Sequence, residues 1–130
     1  MELVTAARTV RDNAHAPYSG LKVGAALRAG SGRIYIGCNV ENASYPEGTC
    51  AETGALAALV AAGETQVTEV AIIADGPQVV TPCGGCRQRL MEFAHGEVPV
   101  TMLTLAGTMQ TMPLSALLPG VFTLQHDKKD

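Results

Sequence analysis

Thr49-Cys50-Ala51-Glu52 and Pro82-Cys83-Gly84-Gly85-Cys86 are the two stretches on which the reading of this chain turns. Between them they supply three cysteines and one acidic residue. Cys83 and Cys86 stand three apart at a predicted helix start, so both sulfurs share one helix face. Thr81 is placed as the N-cap of that helix and Pro82 as its first residue, both favoured there. Cys50 opens a second predicted helix. Two helix N-termini can thus point at one ion, and their partial positive ends favour the thiolates that a metal requires. Three ligands with an open fourth position form the arrangement of a catalytic zinc site. Glu52 is the group placed to move protons there.

Competing readings of the same residues stand beside this one. Thr49 and Glu52 have the spacing of a capping box. Cys83 and Cys86 have the spacing of a redox dithiol, a reading that leaves Cys50 idle. A closed structural zinc site needs a fourth ligand, and Cys38 is the remaining thiol. Cys38 alternates with Ile34, Ile36 and Val40, so it is expected to be a small core residue. His15, His95 and His126 follow no metal spacing.

Outward from the cysteines, helical and strand periods alternate. Leu3 to Ala14 has helical spacing, ended by Ala16-Pro17-Tyr18-Ser19-Gly20. Leu21 to Ala29 and Ile34 to Val40 read as strands joined at Gly30-Ser31-Gly32. On the second strand Asn39 and Glu41 share the face opposite Ile36 and Cys38. A helix from Cys50 to Ala62 packs Leu56, Leu59 and Val60 inward and stops at Gly63. Val70 to Ala74 is a continuous apolar strand of the kind covered on both faces. A helix over Cys83 to Ala94, a strand over Val98 to Leu105 and a short helix over Leu114 to Leu118 follow. The tail from Gln125 is polar and expected to fray. This order predicts a three-layer α/β/α arrangement around one mixed central sheet.

The chain has 130 residues, 47% apolar and 16% charged, with a net charge of −3. Its length suits a single domain over 1–130, and its composition excludes disorder. Scattered Lys and Arg exclude a basic stripe, so no polymeric nucleic acid partner is expected. No run approaches the roughly 18 apolar residues of a membrane span. Met1-Glu2-Leu3 opens no basic-then-apolar leader, so a cytoplasmic location is expected. The light charge implies that apolar surface is buried between subunits.

Pro17-Tyr18-Ser19, Val23-Gly24-Ala25-Ala26-Leu27, Gly37-Cys38-Asn39-Val40-Glu41-Asn42-Ala43-Ser44-Tyr45, Cys50-Ala51-Glu52, Pro82-Cys83-Gly84-Gly85-Cys86-Arg87-Gln88 and Leu117-Leu118-Pro119-Gly120-Val121-Phe122 span nearly the whole chain in order. In these motifs the sequence resembles the small zinc-dependent cytidine deaminases of the cytidine and deoxycytidylate deaminase superfamily, whose zinc signature it carries. The resemblance implies one zinc ion per chain on Cys50, Cys83 and Cys86. Glu52 would relay a proton while an activated water attacks C4 of cytosine. It implies that Asn39 and Glu41 bind the ribose and that backbone groups near Ala51 and Cys83 read the base. It also implies a homotetramer with shared active sites, completed by Tyr45 and Phe122. The expected reaction is deamination of cytidine and deoxycytidine in pyrimidine salvage.

Two positions depart from the family pattern. Thr53 stands where many relatives have Arg, leaving the helix N-termini and Arg87 to offset the thiolate charge and implying a less acidic bound water. Leu21 stands where many place Phe against the pyrimidine. That leaves a modified aminopyrimidine nucleoside as an alternative substrate. A zinc-stapled protein without catalysis is the alternative of a different class.

Overall fold

The computed structural model describes residues 2–124, so the tail and His126 lie outside the described residues. Helix α1 (Glu2–Arg11) is followed by strands β1 (Val23–Ala29) and β2 (Ile34–Cys38), helix α2 (Ala51–Ala61) and strand β3 (Val67–Ala74). Helix α3 (Gly84–Phe93), strands β4 (Pro99–Thr104) and β5 (Met109–Pro113), and helix α4 (Leu114–Leu117) complete the order. One turn of 3-10 helix, Tyr45–Glu47, lies between β2 and α2.

The sheet runs β2-β1-β3-β4-β5. Strand β1 is antiparallel to both neighbours, with Ala25 opposite Gly37 and Ile72. Strands β3 and β4 are parallel, with Ile72 beside Met102. A parallel pair cannot be joined by a tight turn, so the chain must cross a face of the sheet, and α3 is that crossover. Alternate side chains then build two cores. Ala25, Leu27, Val70, Ile72, Val100 and Met102 pack with Ala55, Leu56 and Leu59 of α2, Leu90 and Met91 of α3, and Leu114 and Leu117 of α4. Ala26, Ala71, Ile73 and Leu103 pack on the other face with Leu3 and Ala7 of α1. The mixed sheet and its three layers are as the sequence predicts.

The differences have local causes. Helix α3 begins at Gly84 with extended Cys83 as N-cap, not at Pro82 with Thr81 as cap. The Thr81 hydroxyl is occupied instead, accepting from Arg87 Nη2 at 3.1 Å. Cys50 is likewise the N-cap of α2. Glu52 therefore sits at the second helical position, one short of where a capping box needs its acid, and that reading falls. Val60 points to solvent rather than inward. Strand β2 ends at Cys38, and Val40 makes only isolated bridges to His15 and Thr49. Its Gly37 face, not its Ile36 face, meets α2, so Ile36 is 47% exposed and Cys38 is half-buried rather than core. Helix α1 closes three residues early, through Asn13 N–H to Val10 and Ala14 N–H to Arg11 carbonyls. Strand β5 carries no readable period, because a mostly exposed edge strand is held by its pairing with β4.

Gly37 is what lets α2 lie directly on β2. A β-carbon there would sit 2.4 Å from both the Ala51 carbonyl oxygen and the Ala55 nitrogen. These are backbone atoms and cannot turn aside. Gly37→Ala is expected to cost ~1–3 kcal/mol, a typical overpacking loss. It should also displace the start of α2 with Cys50 and Glu52. Thermal unfolding and zinc content of the variant check this; an unchanged melting temperature would refute the close contact.

Candidate zinc centre and substrate groove

Because α2 and α3 pack side by side on one face of the sheet, their first residues meet. Cys50 caps α2, Cys83 caps α3, and Cys86 lies buried in the first turn of α3. The three Sγ atoms lie within 4.8 Å of one another. Cys50 and Cys83 Sγ are 3.7 Å apart, although 33 residues separate them in sequence. Sulfurs sharing a tetrahedral zinc at ~2.3 Å stand roughly 3.8 Å apart, so the donor set fits that ion. Among the described residues Cys38 and the histidines do not join the group. A site of three sulfurs leaves one tetrahedral position for water or substrate, as the sequence implies.

Burial, helped by the neighbouring Cys83 thiol and Glu52, pushes the Cys50 thiol up. Burial and the Glu52 charge push Cys86 up strongly. Cys83 is also resisted by burial, yet it lies below the ordinary thiol value because the Cys86 backbone N–H and the neighbouring thiols donate to it.

Among the described residues Glu52 is the one carboxyl buried beside the sulfurs, 4% exposed. Burial raises its pKa, while its own backbone N–H and the Arg89 charge draw it partly back. A carboxyl whose burial eases its protonation suits a role in proton transfer.

A groove of about 360 Å³ is lined by Tyr18, Ser19, Val40, Glu41, Asn42, Tyr45 and Gly48. Glu41 Oε1 accepts the Tyr18 and Ser19 backbone N–H groups at 3.0 and 3.1 Å. Its Oε2 accepts the Ser19 hydroxyl. These donors, Ser19 foremost, hold the carboxylate below its usual range. Asn39 is occupied at both ends of its amide: Oδ1 accepts Val23 N–H and Nδ2 donates to the Leu21 carbonyl, each at 2.8 Å. Tyr18 and Tyr45 meet edge to face, with ring centres 6.4 Å apart.

A lowered carboxylate pKa stabilises the folded loop above the unfolded value and loses that contribution as pH falls through the folded one. The Tyr18–Gly20 turn is therefore expected to loosen only in acid, below the ordinary carboxylate range. Amide exchange at Tyr18 and Ser19 as a function of pH reads this. Protection that persists in Glu41→Gln at low and neutral pH alike would remove the carboxylate from the account.

The other sequence-predicted residues are placed less centrally. Ala51 is buried at the start of α2 beside the sulfurs. Leu21 is exposed and outside the groove lining. Phe122 lies on the segment after α4, where its carbonyl accepts Gln88 Nε2 at 2.9 Å. Arg87 does not reach the thiols. Its guanidinium donates to the Pro82 and Leu117 carbonyls at 2.7 and 2.8 Å as well as to Thr81. Arg89 does reach them, with Nη1 3.8 Å from Cys86 Sγ. Sequence reasoning passed over it, although its i+3 spacing from Cys86 was a usable signal.

Three sulfurs at paired helix starts with a buried carboxyl define a zinc-binding deaminase domain. Residues 1–102 match the family described as the cytidine and deoxycytidylate deaminase zinc-binding region. The chain belongs to that family. It is 40% identical over 122 residues to a cytidine deaminase of Sporosarcina psychrophila, covering 94% of this chain and 90% of that one. The crystal structure of cytidine deaminase from Burkholderia pseudomallei superimposes with a TM-score of 0.89 at 38% identity, covering 93% of this chain and 97% of that one. That of the Mycobacterium tuberculosis enzyme gives 0.82 at 35% identity, covering 95% and 96%.

Proposed function

We propose that this chain, as one domain over 1–130, deaminates cytidine and deoxycytidine hydrolytically to uridine and deoxyuridine, releasing ammonia in pyrimidine salvage. The carrying observation is the buried carboxyl of Glu52 beside three sulfurs within 4.8 Å of one another. Cys50, Cys83 and Cys86 would hold zinc, which when bound would supply Lewis acidity and make a water more acidic. Glu52 would accept one proton of the water that adds to C4 and deliver it to ring N3, then carry the proton of the new C4 hydroxyl to the amino group, so that the C4–N bond breaks, ammonia leaves and the C4 carbonyl forms. The Ala51 N–H, at the first position of α2, has no partner within its helix and is available to the base.

The groove holds the sugar. A carboxylate offers about four acceptor sites, and Tyr18 and Ser19 fill three of those on Glu41, which leaves Oε2 able to take a ribose hydroxyl. Asn39 chiefly fixes the Leu21–Val23 backbone and keeps one amide hydrogen for the sugar. Tyr45 and Phe122 are 79% and 70% exposed, which supports their role as contacts with neighbouring subunits of a homotetramer sharing its active sites. Among the described residues no helix is long and apolar enough to cross a membrane. A cytoplasmic location fits a nucleoside salvage enzyme.

The test is ammonia release and ultraviolet change on mixing the purified protein with cytidine, with zinc counted per chain and particle mass measured by light scattering. Turnover by a one-zinc chain, lost on chelation, is expected. Bound zinc with no turnover of cytidine or deoxycytidine would overturn the assignment.

A further inference from the structure

We propose that Arg89, reaching back from α3 to the Cys86 sulfur, offsets the negative charge of the three-thiolate zinc site and so strengthens this chain's hold on the metal. The assignment rests on the zinc reading of Cys50, Cys83 and Cys86. Three thiolates on a divalent ion leave about one net negative charge, and an ionised Glu52 adds another in the same enclosure. Charge of one sign is costly there unless a cation stands close.

The geometry selects which cation. Arg87, the nearer in sequence to Cys86, is held by two carbonyls and the Thr81 hydroxyl. Arg89 Nη1 instead donates to Cys86 Sγ at 3.8 Å. That sulfur is fully buried, so a charge beside it is screened least by water. The direction is natural, since helical side chains lean toward the preceding turn. Gly85 leaves the room: a β-carbon there would meet Arg89 Nη1 at 3.1 Å. The same guanidinium is felt at the Glu52 carboxyl. From the facing helix come the neutral Thr53 Oγ1, 3.6 Å from Cys86 Sγ, and the Glu52 carboxyl, whose charge has the same sign as the thiolates. Among the described residues the cation that reaches this sulfur is therefore the one from α3.

The experiment titrates zinc against a chromogenic chelator at one fixed pH and compares wild type with Arg89→Leu. Affinity should fall about tenfold, the lower end for groups that hydrogen-bond to metal ligands, because Arg89 is otherwise open to water. Arg89→Lys should restore part of it. Thr53→Arg in the Arg89→Leu background should restore most, since a guanidinium then approaches the same sulfur from α2. In cobalt-substituted protein the thiolate-to-metal charge-transfer band should shift in Arg89→Leu and return in the double variant. A purely structural side chain would not produce that pattern. Arg89→Gln, which keeps a polar side chain, covers the case in which Arg89→Leu fails to fold and should show the same loss. Affinity unchanged within about twofold, or a loss that neither added cation repairs, would overturn the role. Wild-type protein that takes up no zinc would instead overturn the metal reading, and this role with it.

Discussion

Glu52→Gln is expected to lower cytidine turnover by roughly 10²–10⁴-fold, the usual contribution of a positioned proton carrier. Zinc content should stay at the wild-type level. The side chain keeps its size and its buried place at the start of α2, so the sulfurs are not disturbed. What is lost is the ability to take a proton from water and return it to the base. The same variant separates this role from helix capping. Cys50, not Thr49, is the N-cap, and it makes no side-chain capping bond. A capping residue would be worth only ~1 kcal/mol of stability and nothing in turnover. Steady-state rates with zinc analysis decide the matter, and near-normal turnover in a zinc-loaded Glu52→Gln protein would end the proton-carrier role.

Cys86→Ser should have the second large effect, this time on the metal. Cys86 is the fully buried member of the sulfur group. A serine hydroxyl is a poor zinc ligand at neutral pH and is itself costly to bury without a partner. The variant should leave purification with little zinc and no turnover. A ligand that binds only the folded state stabilises it by about 4 kcal/mol at a thousandfold excess over its dissociation constant. Added zinc should therefore raise the melting temperature of wild-type apoprotein and leave that of Cys86→Ser unmoved. Cys38→Ser is the matched control, a half-buried thiol outside the group, and should keep both zinc and activity. The ligand set would have to be redrawn if Cys38→Ser lost zinc and Cys86→Ser kept it.

Much of the site was legible because its signals are local. Cys-x-x-Cys at a helix start, and Cys-x-Glu at another, report spacing and N-terminal geometry that a few neighbouring residues set. The apolar run Val70–Ala74 announced a strand covered on both faces, and β3 is that strand. Edge features were harder. Strand β5 is largely polar and exposed and is specified by its ladder with β4. On β2 the alternation was read correctly but its inward face was not, because Gly37 has no side chain to mark the face that α2 covers.

By itself, then, the sequence determined which cysteines could serve as ligands, the helices that start beside them and the mixed α/β order, since propensity and spacing act over one or two turns. Tertiary structure alone decided that Cys50 and Cys83 stand 3.7 Å apart. It also decided that Glu52 is one position too early to cap a helix, and that Arg89 rather than Arg87 faces the thiols. The last choice shows the reason. Both arginines lie on α3, but Pro82, Thr81 and the Leu117 carbonyl, 30 residues along the chain, hold Arg87. The i+3 spacing of Arg89 from Cys86 is local, but the hold on Arg87 depends in part on where the sheet brings α4.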